Sequence, residues 1–377
     1  MNEFILDSDS ELLRDLSSSV RKFADSNLLV TSDPPRFRRE DFDALAKLGL
    51  TGMSVPEQHG GTPMSALAIA TAIFDLARAQ LGPAIYLSVH LMVSKLLSSA
   101  ASNEYQTERL MKLASGELLG AFCLTEAEAG SDAANLKTKA EPSNDGYRLT
   151  GEKLYITSGG VADLYLVFAR TAAAGAEGIS AFLVEKSAPG LSFGKHERKM
   201  GCEGAPIASV HFDGCFVPTA ARLGAEGTGY KLALSGLQGG RVNIAAAACG
   251  IGSKALEIAA RHLRTRRQFG QPLAGFQGLQ FMLSDMATAL RASVLLTREA
   301  ANDLDSGSKR TPSASMAKCF ATDSAMRITT DAVQLLGGAG YIAEYEVERL
   351  MRDAKMLQIV EGTNQIQRLL IARSLVG

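Results

Sequence analysis

Apolar positions in the first third of the chain recur at helical intervals. Leu12, Leu13, Leu16, Val20 and Phe23 follow one another every few residues, behind a Ser8/Glu11 pair with capping-box spacing. Phe42, Leu45 and Leu48 keep the period, and Gly49 suits a helix C-terminus. Pro56 and Gly60-Gly61 mark a loop. Residues 65–79 and 86–99 are expected as long, largely buried helices, and 103–114 as a more polar one. Near Gly116 the texture changes. Phe122-Cys123-Leu124 is a short apolar run, and Asn144-Asp145-Gly146 is a hairpin signal. β-Branched or aromatic runs at 147–156, 164–170, 180–185 and 208–212 predict strands, punctuated by Pro189-Gly190 and Asp213-Gly214. After Pro218 the 3.6-residue period returns over 229–262, 276–303 and 311–336, the lengths of bundle helices. Two shorter helices, 346–359 and 363–375, flank Glu361.

The order helix, β, helix lacks βαβ alternation and argues against a doubly wound sheet. It predicts a mainly α protein with a central β-domain. The divisions fall at 1–118 for an N-terminal all-helical domain, 119–224 for a middle β-barrel or sandwich, and 225–377 for a C-terminal four-helix bundle. At 377 residues the chain exceeds the usual single-core limit, so two or three domains are expected.

Charge narrows the function classes. The 39 basic and 40 acidic side chains leave a net charge of −1, so no bulk field favours nucleic acid or an anionic membrane. No run of about 18 apolar residues predicts membrane insertion. Five cysteines without a CxxC pair imply reduced thiols, and five histidines without ligand spacing imply no metal site. The first residues lack the basic and apolar regions of a signal peptide, so a cytoplasmic location is expected.

Three short motifs lack the context their chemistry needs. Gly190-Leu191-Ser192-Phe193-Gly194 matches GxSxG but lacks a strand-to-helix turn. Ser315-Met316-Ala317-Lys318 matches SxxK inside a helical stretch, without partner motifs. Gly338-Ala339-Gly340-Tyr341-Ile342-Ala343 resembles a dinucleotide turn but follows a helix, not a strand, which leaves a glycine corner where backbone meets a ligand or a partner chain. The cluster Arg261, Arg264, Arg266 and Arg267 is either a solvated helix end or a diphosphate site.

Two segments carry stronger chemistry. Ile359, Val360 and Ile366 offer apolar walls around Glu361, and a desolvated carboxylate is a stronger base. Thr363 can cap the helix that follows. In the β-region, Thr125 and Ser131 offer hydroxyls and Gly130 lets backbone amides approach a ring or phosphate. Phe122 and Tyr155 offer flat faces suited to a flavin.

Together these segments resemble the acyl-CoA dehydrogenase family over essentially the whole chain. The matching elements, in family order, are Phe122 to Ser131 with Asp132, Tyr155-Ile156-Thr157, Arg266-Arg267-Gln268-Phe269-Gly270, Phe276-Gln277, Gln334-Leu335-Leu336-Gly337-Gly338 and Glu361-Gly362-Thr363-Asn364-Gln365. The resemblance implies FAD-dependent α,β-dehydrogenation of an acyl-CoA thioester. Glu361 would remove the α-proton, and flavin N5 would take the β-hydrogen as hydride. The Glu361 backbone amide and a ribityl hydroxyl would hold the enolate-like oxygen. Phe122, Leu124, Thr125, Gly130, Ser131, Tyr155, Ile156 and Thr157 would hold the flavin. Arg266, Gln268, Phe269, Phe276, Gln277, Gln334, Leu335, Gly337 and Gly338 would bind the diphosphate and adenosine ends, partly across a subunit interface. Thr363 and Gln365 would also contact FAD. Ser131, Gln238, Arg241 and Gly362 would line the acyl-CoA path. A homotetramer made as a dimer of dimers is implied, with an electron-transferring flavoprotein as electron acceptor and a catabolic role in fatty acid or branched-chain amino acid breakdown.

This chain departs from the family pattern at three places. Tyr155 stands where many relatives have Trp, and Ala127 where Pro usually follows Thr-Glu. Gly240 stands where some branches carry their base. The stretches 236–245 and 267–274 are similar to the branch acting on isobutyryl-CoA and other short branched chains. Two further readings compete: an oxidase-type member using oxygen, and a non-catalytic flavoprotein binding module.

Overall fold

The computed structural model describes residues 4–28, 36–172, 175–308 and 312–377. Five helices come first: α1 (Glu11–Asn27), α2 (Arg39–Lys47), α3 (Ala66–Ala79), α4 (Leu81–Ala100) and α5 (Glu104–Ser115). The start of α1 differs from expectation. Its N-cap is Ser10, whose Oγ accepts from Leu13 N at 3.3 Å, not Ser8. The buried face is Leu13, Ser17, Val20 and Ala24, while Leu12 is 65% exposed. The helix α4 begins five residues before the apolar run that predicted it. Pro83 fits there because the first turn has no use for its missing N–H.

Strands follow: β1 (Gly120–Cys123), β2 (Lys139–Ser143), β3 (Gly146–Thr157), β4 (Leu164–Arg170), β5 (Ile179–Glu185), β6 (Leu191–Phe193), β7 (Ile207–Pro218) and β8 (Arg222–Leu223). They form one sheet in the order β6-β7-β3-β2-β4-β5-β8, with β1 parallel to β4. The Asn144-Asp145 turn joins β2 to β3 as an antiparallel hairpin. Asp213-Gly214 does not end a strand. Leu149 pairs with Cys215 and Gly151 with Phe212, so β7 carries one extra residue there. Gly214 takes φ 58°, and the residues that looked like a turn form a bulge inside a 12-residue strand.

The chain then returns to helix: α6 (Gly229–Thr265), a small hairpin of β9 (Arg267–Gln268) and β10 (Gln271–Pro272), α7 (Gln277–Ser306), α8 (Ser313–Leu336), α9 (Val347–Leu357) and α10 (Asn364–Val376). Thr311, the expected start of the third long helix, lies outside the described residues. One apolar core runs through all three regions. The helix α6 packs on α3 and α4 as well as on α7, α8 and α9. Polar clamps fix these layers: Asp305 Oδ1 accepts from Ala66 N at the start of α3, Arg78 pairs with Glu257, and Asn243 Nδ2 donates to Ser88 Oγ.

The helices α4 and α6 are each long and apolar enough to cross a bilayer by length and composition. Their apolar windows are 83% buried against protein, which accounts for that character. All five cysteines are free and buried.

Candidate active site

The turn between α9 and α10 holds Glu361 in a left-handed conformation at φ 56°, followed by Gly362 at φ 88°. A non-glycine residue there stores about 1–3 kcal/mol of strain, so the surroundings must over-determine it. They do so from three directions. Thr363 caps α10, its Oγ1 accepting from Ile366 N at 3.3 Å. Gln367 Nε2 donates to the Gly362 carbonyl at 2.8 Å and to the Glu361 carbonyl at 3.3 Å. From α8, Lys318 Nζ donates to the Gly362 carbonyl at 3.0 Å and to Asn364 Oδ1 at 2.8 Å. Asn364 Nδ2 in turn donates to Asp323 Oδ1 at 2.7 Å.

The Glu361 carboxyl is aimed at α6. A Cβ added to Gly240 would lie 2.6 Å from its Oε2, so the carboxyl rests on a bare stretch of helix backbone. The residue as a whole is half-buried, yet Oε2 is out of solvent and has no hydrogen-bond partner. Burial pushes the carboxyl up to about 7, against the opposing pull of the Arg241 and Lys318 charges. The expected walls are only partly there. Ile359 is 55% exposed, Val360 and Ile366 are half-buried, and α6 adds a wall at Gly240 that lies against the carboxyl. Arg241 follows Gly240 on α6, is only 7% exposed, and its buried Nε has no partner. Burial lowers its guanidinium's pKa, while Glu361 opposes the shift. Two unpaired buried polar groups side by side mark a place for a polar ligand.

On the β side, Glu126 and Ala129 exchange two backbone hydrogen bonds of 3.2 Å, closing a tight turn. The turn is anchored from beneath. Lys153, fully buried on β3, donates to Glu126 Oε1 at 2.7 Å and to the Leu124 carbonyl at 3.1 Å. Thr138 N also donates to Glu126 Oε1, at 3.0 Å. Gly130 and Ser131 are left exposed, and a Cβ on Gly130 would meet nothing within 4 Å. Leu154 N donates to the Thr125 carbonyl at 2.9 Å, which brings the 155–157 segment beside this loop. There β3 carries an extra residue opposite β7, between Lys153 and Ile156. Tyr155 takes φ 57° within this bulge and is 65% exposed, so the bulge turns its ring outward.

Other expected contacts are placed less directly. Phe122 does not offer a free face: its half-buried ring packs on Phe168 at 5.0 Å between centroids. Leu124, Ile156 and Leu335 are buried, so they can offer a ligand little beyond backbone. Thr157 and Thr363 are half-buried, and Gln238 and Gln365 are exposed. Arg266, Gln268 and Phe269 lie on the β9–β10 hairpin at the far end of α6, exposed, next to Phe276 and Gln277. Phe269 is 92% exposed at φ 52° and meets Phe276 edge-on at 6.1 Å. Gln334, Gly337 and Gly338 end α8, and a Cβ on either glycine would meet nothing within 4 Å. Neither the hairpin nor this turn joins Glu361 by a hydrogen bond or ion pair among the described residues.

Of the three short motifs, one touches the Glu361 turn. Ser192 sits on edge strand β6 opposite His211. Residues 338–343 follow α8 with no strand before them. Lys318 of the SxxK match, however, is fully buried beneath the Glu361 turn, and sequence reasoning passed over it. A signal existed: Ala314, Ala317, Ala321 and Ala325 are buried along the same helix, so a lysine among them is out of place. Among the described residues no group of three or more His, Cys, Asp or Glu could hold a metal ion.

The structure thus joins a helical–β–helical fold to a desolvated carboxylate between its last two helices and a glycine-opened loop on its sheet. The N-terminal, middle and C-terminal domain descriptions of acyl-CoA dehydrogenases match residues 10–117, 121–215 and 227–376. An acyl-CoA dehydrogenase of Bacillus subtilis is 46% identical over 335 residues, covering 88% of each chain. The mitochondrial isobutyryl-CoA dehydrogenase of Dictyostelium discoideum is 42% identical over 90% of this chain and 82% of its own length. The butyryl-CoA dehydrogenase structure from Megasphaera elsdenii superposes with a TM-score of 0.95 at 38% identity, over 99% of this chain and 100% of that one. The chain belongs to the acyl-CoA dehydrogenase family.

FAD is the family's cofactor. The residues fit it: backbone open to approach at Gly130, Gly337 and Gly338, and an outward aromatic face at Tyr155.

Proposed function

We propose that this protein converts a short, branched acyl-CoA to its 2-enoyl-CoA, with Glu361 as the base that takes the α-proton. The observation that carries this reading is the enclosed, unpartnered Oε2 of Glu361 with its carboxyl pushed up to about 7. The α-proton of a thioester is weakly acidic, and a base matched to neutral pH removes it most efficiently. The Glu361 backbone N–H donates to no acceptor among the described residues, so it is free to stabilise the developing charge on the thioester oxygen. Bound FAD supplies the acceptor for the β-hydrogen and its electron pair.

The exposed Ser131 and Gln238, with Arg241 and Gly362, line the path of the thioester and its CoA arm. Thr125, Gly130, Ser131, Tyr155, Ile156 and Thr157 hold the ring end of the cofactor. The β9–β10 hairpin, Phe276, Gln277, the 334–338 turn, Thr363 and Gln365 take its diphosphate and adenosine ends, in part from a second copy. The 92% exposure of Phe269 and 84% exposure of Tyr341 support a covering copy of the chain, such as a homotetramer would supply. The two electrons must leave before the next turnover, and an electron-transferring flavoprotein is the acceptor. Five buried free thiols suit a reducing, cytoplasmic compartment. The test is anaerobic bleaching of bound flavin by acyl-CoAs from isobutyryl to octanoyl. Fast bleaching by the short branched members supports the reading; no bleaching by any acyl-CoA ends it.

A further inference from the structure

We propose that Lys318 is a positioning residue for the base: from inside α8 it fixes the Glu361–Gly362 turn through the Gly362 carbonyl and sets the charge that Glu361 faces. The proposal rests on the assignment of Glu361 as the base. Its first support is geometric. Lys318 has no exposed surface, and its Nζ reaches Gly362 O at 3.0 Å and Asn364 Oδ1 at 2.8 Å. The Gly362 carbonyl thus receives a second donor besides Gln367, immediately after two left-handed residues. A lone buried ammonium costs several kcal/mol unless it is paired, and both partners here are neutral. The position therefore spends stability, which points to a role beyond packing.

The second support is electrostatic. Arg241 on α6 and Lys318 on α8 are the cations acting on Glu361, and both hold its carboxyl below where burial alone would put it. Around Lys318 itself stand Cys319, Glu361, Asp323 and Arg241, with Arg368 of α10 already paired to Asp323 at 2.5 Å. Burial pushes the ammonium down to about 8, so it is still mostly charged at about pH 7, where Glu361 is half ionised. Arg241 is placed to meet the ligand, whereas Lys318 reaches only the turn. Its effect should therefore appear in turnover and not in substrate affinity.

The experiment compares FAD-loaded wild type, Lys318→Gln, Lys318→Arg and Glu361→Gln, reading kcat, KM for the acyl-CoA and the pH profile of kcat. Lys318→Gln removes the charge. It should lower kcat by about tenfold or more, since small misplacements of reacting groups are costly. KM should change little, and the acid limb of the profile should move to higher pH. Lys318→Arg keeps the charge but cannot place the same two donors; kcat should fall with the acid limb in place. Wild-type kcat and an unmoved limb in Lys318→Gln overturn the proposal, as does a fall in kcat matched by lost FAD with the limb unmoved. If Lys318→Gln does not fold, Lys318→Arg decides: a lower kcat at full FAD content supports the role, and wild-type kcat overturns it. An active Glu361→Gln would instead defeat the base assignment itself, a different failure from an inactive Glu361→Gln beside a wild-type-like Lys318→Gln.

Discussion

Gly240 and Glu361, 121 positions apart, occupy one space: the missing side chain of the first is the seat of the second's carboxyl. An added Cβ would lie 2.6 Å from Oε2, 2.8 Å from Cδ and 3.0 Å from Oε1. Only the flexible end of a side chain would have to move, so Gly240→Ala should fold normally. Alanine even favours the helix by about 0.5–1 kcal/mol. The carboxyl, however, would be displaced from its seat. We expect a melting temperature close to wild type and a fall in kcat of about 10²-fold. Thermal unfolding alongside steady-state kinetics checks both halves, and a stable Gly240→Ala with full turnover would show that the seat is unimportant.

The raised Glu361 carboxyl also makes stability depend on pH. Its folded value of about 7 lies above the ordinary 4.5, so its protonated form favours the folded state. That contribution is fully present below about 4.5 and is lost as pH rises through about 7. Glu361→Gln removes the loss. The variant should therefore gain stability over wild type at pH 8, by at most about 3 kcal/mol, and little or none at pH 4. Turnover moves the other way: kcat/KM of the wild type should rise with pH through about 7 as the base ionises. Denaturant melts at the two pH values and a pH–rate profile test this pair of opposite trends.

Much of this architecture could be read from apolar spacing, because long helices repeat their pattern many times. The end of β7 and the outward turn of Tyr155 could not. Asp213-Gly214 signals a need for positive φ, and both a turn and a bulge satisfy that need. Only the partner strand decides between them. Glu361 was legible from its short motif, but the α6 part of its wall was not, because Gly240 lies far away in sequence. Lys318 was hidden because its SxxK match reads as chance inside a helical stretch, whereas the informative fact is a cation on an alanine face. Ser10 displaced Ser8 as the cap of α1 because neighbouring serines compete and spacing alone does not rank them.

The Glu126–Lys153 pair ties the flavin-side loop to β3, and cutting it should separate loop order from the chemistry of the base. Burial alone would push the Glu126 carboxyl up, but Lys153 and the Lys137 and Thr138 donors outweigh it and hold it below its ordinary range. The pair's contribution is therefore present above about pH 4.5 and is lost as pH falls. Lys153→Met leaves the Glu126 carboxylate and the Leu124 carbonyl without their buried donor. Removing one partner of a buried pair costs about 3–5 kcal/mol. The loop that presents Gly130 and Ser131 should loosen as well, so FAD should dissociate more readily. In the fraction that keeps its flavin, the acid limb of kcat should stay where Glu361 sets it, because Lys153 is not among the charges acting on that carboxyl. Equilibrium unfolding, FAD release followed by fluorescence, and the pH profile of flavin-loaded enzyme test these three consequences. Unchanged FAD retention in a destabilised Lys153→Met would show that the loop is held without the pair.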